Sequence, residues 1–213
     1  MQVIGINGQM EVEENQMLHN INPFFIIGLP RTRSSWLSNF LTYKTSFCFH
    51  EAIRLCYKME DMKDLFECVN EPNVGDADCR LLFYTNDMLR LFPNAKWVLI
   101  NRKIEDVDKS LEKRYDFGDD KDKEHTREIS RLINIFKKEN KVLEFNFEDL
   151  DRKEVCKEIW EYCIKDTPFP EKRWLQLDVL KVDPFEDKMM KYHGEHPIRT
   201  VFDYTKNIIM EKI

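Results

Sequence analysis

The segment FFIIGLPRTRSSWL, residues 24–37, carries the strongest fold signal in the chain. Its first four residues form a continuous apolar run that predicts a buried strand, and Gly28 and Pro30 then predict a turn. A helix is expected over Ser34–Tyr43, because apolar residues recur there at helical spacing. Ser34 or a neighbour is available to cap this helix. The segment therefore predicts a strand, a turn and a helix in direct succession.

Comparable segments follow along the chain. Apolar runs predict further strands at residues 47–50, 81–84, 96–101 and 142–147, and helical or amphipathic patterns occur at 51–69, 86–91, 104–114, 124–140 and 153–164. We expect loops at residues 70–78, which contain Pro72 and Gly75, and in the charged stretch 118–123. Strands that alternate with helices predict a mainly parallel central sheet flanked by helices.

The length and composition limit the class of protein. A chain of 213 residues with 42% hydrophobic and 34% charged residues suits one globular α/β domain. Residues 1–22 are expected to form an N-terminal arm and residues 168–213 an irregular C-terminal segment. The net charge of −6 argues against a duplex nucleic acid as partner.

The cysteines and the hydropathy indicate the compartment. Six cysteines occur without a C-x-x-C pair and without a recognisable signal peptide, so we expect reduced thiols and a cytoplasmic location. No apolar run approaches the ~18 residues that a membrane span needs, and no membrane partner is expected.

The turn after the first strand has the chemistry of an anion site. Backbone N–H groups at a helix N-terminus favour a negative charge, and arginine guanidinium groups match phosphate or sulfate. A nucleoside triphosphatase would carry G-x-x-x-x-G-K-[ST], but here Arg33 occupies the second glycine position and Ser34 the lysine position. This argues against ATP or GTP hydrolysis and leaves a degenerate kinase open. A turn whose arginines face solvent is the other interpretation.

Residues 30–37, PRTRSSWL, resemble the first motif of the sulfotransferase superfamily, which is roughly P-[KR]-[ST]-G-[ST]-[ST]-W-L after an apolar strand. In that family this turn binds the 5′-phosphosulfate of 3′-phosphoadenosine 5′-phosphosulfate (PAPS). Arg31 takes the place of the basic residue, and Arg33 departs from the usual glycine. The resemblance implies that the nucleotide is bound by Arg31, Thr32, Arg33, Ser34, Ser35 and Trp36.

Residues 95–111, AKWVLINRKIEDVDKSL, resemble the second motif of the same family. That motif has a strand, an arginine at its end and a serine eight residues later, and Arg102 and Ser110 keep this spacing. In the family the pair holds the 3′-phosphate that distinguishes PAPS from ordinary nucleotides. The alternative is that Arg102 forms a surface ion pair with Asp106 or Asp108 of its own helix.

The resemblance extends over about residues 24–165. Residues 142–150, VLEFNFEDL, are similar to an apolar strand followed by Y-E-D-L, a weak scaffold feature of the family. The late glycine- and lysine-rich nucleotide loop has no clear match, and residues 191–200 are its candidate substitute. The resemblance implies a three-layer, P-loop NTPase-like α/β domain.

The catalytic groups are expected at His50 and Glu51, because this family places its base after the second strand, as histidine in some branches and as glutamate in others. Glu51 could instead simply open a helix, where a carboxylate suits the helix dipole. Arg31 is expected to stabilise the leaving group, and no metal is required. His193-x-x-His196 is expected to be loop, and Trp36 and Trp97 can stack on an adenine or pack in the core.

The predicted activity is transfer of a sulfuryl group from PAPS to a hydroxyl or amine acceptor, giving 3′,5′-ADP. The acceptor is a small molecule, a sugar or a peptide, and the sequence leaves this open, together with the oligomeric state. Two alternatives remain: a nucleotide or small-molecule kinase of P-loop-like fold, and a non-catalytic nucleotide-binding module.

Overall fold

The computed structural model describes residues 21–69, 71–114 and 120–180. Its five strands form one all-parallel sheet in the order β2-β3-β1-β4-β5. The strands are β1 (Asn22–Gly28), β2 (Ser46–His50), β3 (Asn73–Ala77), β4 (Lys96–Asn101) and β5 (Leu143–Asn146). The helices are α1 (Ser34–Leu41), α2 (Asp61–Glu67), α3 (Thr85–Leu91), α4 (Ile104–Arg114), α5 (Asp120–Glu139), α6 (Lys153–Cys163) and α7 (Glu171–Leu180). Short 3₁₀ segments are present at Ala52–Leu55, Cys79–Tyr84 and Phe147–Asp151.

Helices cover both faces of the sheet, so the molecule has three layers. One core contains Phe25 and Ile27 of β1 and apolar residues of α2, α3, α4 and α5. The other contains Phe24 and Ile26 of β1 with residues of α1, α6 and α7. Strands buried on both faces usually have a nearly continuous run of apolar residues, which explains residues 24–27 of β1. The expectation of a parallel sheet flanked by helices is confirmed.

The loop predicted at residues 70–78 is wrong, because β3 occupies most of it and lies between β2 and β1. All five residues of β3 are buried, including the polar Asn73 and Asp76. Gly75 is required by close packing: a Cβ atom there would lie 2.3 Å from the ring of Phe24, its neighbour on β1. Glycine and polar residues are typical of a loop in sequence, but here they lie in a central strand.

Asn73 joins β3 to three other parts of the fold through hydrogen bonds. Its Oδ1 accepts from Asn22 Nδ2 at 2.9 Å and from the Lys165 amide at 2.9 Å. Its Nδ2 donates to the carbonyls of Thr45 and Lys165. Asn22 Nδ2 also donates to the Cys163 carbonyl at 2.6 Å. These bonds satisfy two buried amide side chains, which explains why they are tolerated in a core.

Two other expectations about regular structure are wrong. Residues 81–84 form part of a 3₁₀ segment instead of a strand, because the Asp78 side chain accepts from the Arg80 amide and turns the chain. Of the predicted loop 118–123, residues 120–123 belong to helix α5. There, Lys123 forms an ion pair with Glu112 of α4 at 2.9 Å.

The segment 168–213, expected to be irregular, begins with helix α7 after Pro170. This helix packs onto α1: Trp174 is buried in the same core as Leu37, and the Arg173 guanidinium donates to the Asn39 carbonyl. The N-terminal arm was expected at residues 1–22, but Asn22 begins β1. Residues 1–20 and the chain from residue 181 onward lie outside the described residues. Among the helices that are described, none is both long and apolar enough to cross a bilayer.

We predict that Gly75→Ala destabilises the protein by about 1–3 kcal/mol, the usual cost of overpacking a core. The new methyl group would overlap the Phe24 ring, which is fully buried and has no open space to enter. Urea unfolding measures the change. The double variant Gly75→Ala/Phe24→Leu should recover part of the loss, and equal stability of Gly75→Ala and the wild type would contradict this packing account.

Candidate functional site

The carboxyl ends of β1 and β4 form a topological switch point, because the helices that follow these neighbouring strands leave to opposite faces of the sheet. We call the region outside these two strand ends the crevice. Parallel α/β sheets bind ligands at such a switch point. Gly28 permits the close approach of the two strand ends: a Cβ atom there would lie 2.7 Å from the Ile100 carbonyl oxygen and 2.9 Å from Thr32 Oγ1. The turn predicted from sequence to bind an anion lies at this crevice.

The turn has two residues in the left-handed region, Arg31 at φ 64° and Arg33 at φ 61°. Thr32 lies between them and closes the turn, since its hydroxyl donates to the Leu29 carbonyl at 2.8 Å. Arg33 stands where the family motif usually has glycine, and its backbone has a conformation that favours glycine, at a cost of about 1–2 kcal/mol. Arg33 therefore adopts a left-handed backbone conformation that glycine would adopt at a lower cost in free energy.

Helix α1 begins without a side-chain cap. The N-cap residue is Arg33, which makes no capping hydrogen bond, so the expectation of a cap from Ser34 or a neighbour is wrong. Side-chain caps normally satisfy some of the first backbone N–H groups of a helix. Without one, the amides of this first turn keep their capacity to bind an anion.

The two sequence motifs meet in space. The Arg102 guanidinium donates through Nη1 to the Arg31 carbonyl, across 71 positions of sequence. Arg31 in turn donates through Nε to the Ser110 hydroxyl at 3.3 Å. Within the described part of the chain, Arg102 forms no ion pair with Asp106 or Asp108, which was the alternative interpretation.

The segment after β5 provides two side chains that sequence reasoning did not assign to the site. The Phe147 ring lies 4.0 Å from the Arg102 guanidinium carbon and 5.1 Å from that of Arg33. Asp151 pairs with Arg33 at 2.5 Å. The weak likeness of residues 142–150 to a family scaffold motif was the only sequence signal for these contacts. Aromatic faces and a carboxylate are the groups that stabilise clustered guanidinium groups.

Two of the three arginines at the site, Arg31 and Arg102, form no ion pair with a carboxylate among the described residues, whereas Arg33 pairs with Asp151. Burial lowers the pKa of Arg102. The charges of Asp106 and Glu148 oppose this shift, and those of Arg31 and Arg33 add to it. The Arg102 Nε atom is buried and lacks a hydrogen-bond partner. An anion would supply both a charge and an acceptor.

His50 lies on the other side of this turn, at the end of β2. Its Nε2 atom is 3.1 Å from both the Ser34 and the Ser35 hydroxyl oxygens. The side chain of His50 is only partly buried. The structure therefore brings one of the two predicted bases to the first turn of α1, together with two of the predicted nucleotide-binding serines.

Glu51 is engaged elsewhere. Its carboxylate pairs with Arg54 at 2.9 Å and lies 3.6 Å from Arg80. Arg80 is also held by both oxygens of Asp78, at 3.0 and 2.8 Å. Glu51 precedes the 3₁₀ segment Ala52–Leu55 with φ 60°. It therefore lies in an ion-pair cluster at the ends of β2 and β3.

The two candidate adenine-stacking tryptophans have packing partners. Trp97 is 3% exposed and lies 4.7 Å from the Phe25 ring in the core. Trp36 is half-buried, stacks on Phe40 at 5.3 Å and donates through Nε1 to the Leu177 carbonyl at 3.5 Å. These contacts agree with the core interpretation of both residues.

The described residues contain no group of three or more histidine, cysteine or carboxylate side chains that could hold a metal ion. The pair His193 and His196, and the candidate nucleotide loop at residues 191–200, lie outside the described residues. In comparisons with known proteins, no family model and no curated protein matches the chain.

Asp76 lies close to Glu51, Asp78 and Arg80 of this ion-pair cluster and is fully buried. Its Oδ1 atom accepts from the Ala52 amide at 3.2 Å, and its Oδ2 atom has no hydrogen-bond partner. Burial, and then the charge of Asp78, raise the pKa of Asp76 well above the usual value. The folded state therefore holds the Asp76 proton more tightly than the unfolded state does, and stability from this group decreases as the pH rises above the unfolded pKa of about 3.9.

We predict that Asp76→Asn stabilises the protein by about 1–3 kcal/mol at pH 8. This is the usual free-energy cost of a buried polar group without a hydrogen-bond partner, and we expect ionisation of the buried Asp76 carboxyl group to cost about as much. The asparagine keeps the acceptor for the Ala52 amide and cannot ionise. Urea unfolding of both proteins between pH 5 and pH 8 should show the difference growing with pH. A difference that is destabilising and constant over this range would contradict a raised pKa of Asp76.

Proposed function

We propose that the protein is a PAPS-dependent sulfotransferase of P-loop-like fold, which transfers a sulfuryl group to a hydroxyl or amine acceptor and releases 3′,5′-ADP. The observation that carries this proposal is the contact between Arg31 and Arg102 beside Ser110. These residues come from the two segments that resemble the nucleotide-binding motifs of sulfotransferases, and the fold brings them to one crevice.

The charge of the crevice supports a nucleotide with phosphate at more than one position. PAPS carries a phosphosulfate at the 5′ end and a phosphate at the 3′ position. The chain offers two guanidinium groups without carboxylate partners among the described residues, and a helix start without a side-chain cap. Charge-assisted hydrogen bonds to such groups are roughly twice as strong as neutral ones.

The transfer step needs a base beside the sulfuryl group. The acceptor oxygen or nitrogen attacks the sulfur, and the bond between sulfur and the bridging oxygen of the 5′-phosphate breaks. The electron pair of that bond stays on the phosphate oxygen of 3′,5′-ADP, and His50 Nε2 takes the acceptor proton. The first amides of α1, with the hydroxyls of Ser34 and Ser35, stabilise the negative charge that develops.

We assign the base to His50 because of its contacts. His50 Nε2 lies within hydrogen-bond distance of both serines at the start of α1, where the sulfuryl group would sit. The Glu51 carboxylate lies between two arginines instead.

We predict that the wild type binds 3′,5′-ADP in preference to ATP and 5′-AMP, and that Arg102→Ala weakens 3′,5′-ADP binding roughly 10- to 100-fold, the equivalent of one charged hydrogen bond. Isothermal titration calorimetry measures both effects. Arg131→Ala is the matched control, because Arg131 lies on α5 in a surface pair with Glu128. Its urea midpoint and affinities should equal those of the wild type.

The competing functions give different results in the same titrations. Magnesium-dependent binding of ATP in preference to 3′,5′-ADP would instead support the kinase. Binding of 3′,5′-ADP without transfer of sulfate from labelled PAPS to any acceptor would favour a non-catalytic module. Equal, weak affinity for all three nucleotides would contradict the proposal.

We predict that His50→Asn lowers the rate of sulfate transfer by about 10²–10⁴-fold, the typical contribution of a general base, while the affinity for 3′,5′-ADP changes little. Glu51→Gln is the matched comparison, and it should retain most of the rate. Transfer of ³⁵S from labelled PAPS measures both variants. A loss of rate in Glu51→Gln with full activity in His50→Asn would reverse the assignment of the base.

A further inference from the structure

We infer that Arg31 binds the 3′-phosphate of the nucleotide together with Arg102 and Ser110, and not the phosphosulfate end, to which its place in the motif assigns it. This inference rests on the proposed function and deepens it, because it names the group of the substrate that the first arginine of the turn recognises. It also removes Arg31 from the role that the sequence analysis expected for it, which is to stabilise the leaving group.

The direction of the Arg31 side chain is the first argument. Its Nε atom donates to the hydroxyl of Ser110, which lies on α4, the helix that follows β4. Helix α4 packs on the face of the sheet opposite α1. The Arg31 side chain thus leaves the turn of β1 and α1 and reaches the residue that the second motif assigns to the 3′-phosphate.

The position of the transfer end is the second argument. In the strand order β2-β3-β1-β4, His50 ends β2 on one side of β1, whereas β4 and the helix that follows it, which carries Ser110, lie on the other side. Ser34 and Ser35 contact His50, and Arg31 contacts Ser110. The Arg31 side chain is therefore directed toward Ser110 and away from the side of β1 on which the serines contact the proposed base.

The available hydrogen-bond donors are the third argument. Arg31 uses its Nε atom toward Ser110, so both terminal nitrogen atoms of its guanidinium group remain for a ligand. Arg102 uses Nη1 toward the Arg31 carbonyl, and its buried Nε atom has no partner. Two guanidinium groups match the two negative charges of a phosphate monoester. The face of the Phe147 ring packs against the Arg102 guanidinium group, with its centroid 4.0 Å from the guanidinium carbon.

The test compares two ligands that differ only in the 3′-phosphate. Calorimetry of the wild type and Arg31→Ala with 3′,5′-ADP and with 5′-AMP gives a thermodynamic cycle. We expect Arg31→Ala to weaken 3′,5′-ADP about 10- to 100-fold, as loss of one charged hydrogen bond does, and to leave 5′-AMP within about threefold. Preference for the 3′-phosphate should therefore collapse in the variant. Arg131→Ala is the control and should keep the preference.

A second substitution protects the test against misfolding, because Arg31 has a left-handed backbone. Asparagine adopts this conformation more readily than alanine does, so Arg31→Asn should fold and show the same selective loss. Ser110→Ala should also reduce the preference for 3′,5′-ADP over 5′-AMP. When it is added to an Arg31 variant, the further reduction should be smaller than the reduction it causes in the wild type.

The outcomes separate this inference from the proposed function. If either Arg31 variant weakens 3′,5′-ADP and 5′-AMP by the same factor, Arg31 acts at the 5′ end and the inference is wrong, although the sulfotransferase proposal stands. If the wild type itself shows no preference for 3′,5′-ADP over 5′-AMP, the proposed function fails first, and the inference fails with it.

Discussion

The central position of β1 determines most of the structure. This strand is covered by helices on both faces and paired with β3 and β4 on its two edges. Its central residues 24–27 are therefore all apolar, and its carboxyl end emerges in the middle of the sheet. The chain leaves β1 for one face and β4 for the other, so the turn at residues 28–33 borders a crevice that the topology itself creates.

Three arginine side chains come together at that crevice, and specific contacts make this possible. Arg102 lies on the face of Phe147, Arg33 pairs with Asp151, and Arg102 donates to the Arg31 carbonyl. These contacts reduce the repulsion between the like charges. Arg31 and Arg102 lie on the side of β1 away from His50. This asymmetry underlies the proposal that different residues bind the two anionic ends of the nucleotide.

The sequence was informative wherever a local pattern coincided with the final environment. The apolar runs of β1 and β4 and the helices that follow them were predicted, and the rule for parallel strands correctly predicted that Arg31 and Arg102 meet. β3 was missed because Asn73, Gly75 and Asp76 become buried only through partners distant in sequence. The contacts of Phe147 and Asp151 depend on the packing of the segment after β5, which no local pattern encodes. The run at residues 81–84 shows that four apolar residues alone do not distinguish a strand from a helical turn.

The amide network around Asn73 has a consequence for the order in which the chain acquires its structure. Asn22, at the start of the first strand, donates to the Cys163 carbonyl across 141 positions, and Asn73 binds Lys165 across 92. During synthesis the earliest strand is therefore made long before the residues that complete its hydrogen bonds. Parallel sheets with such distant contacts fold slowly. A nascent chain of this protein therefore cannot complete the hydrogen bonds of β1 and β3 until α6 and the residues after it have left the ribosome.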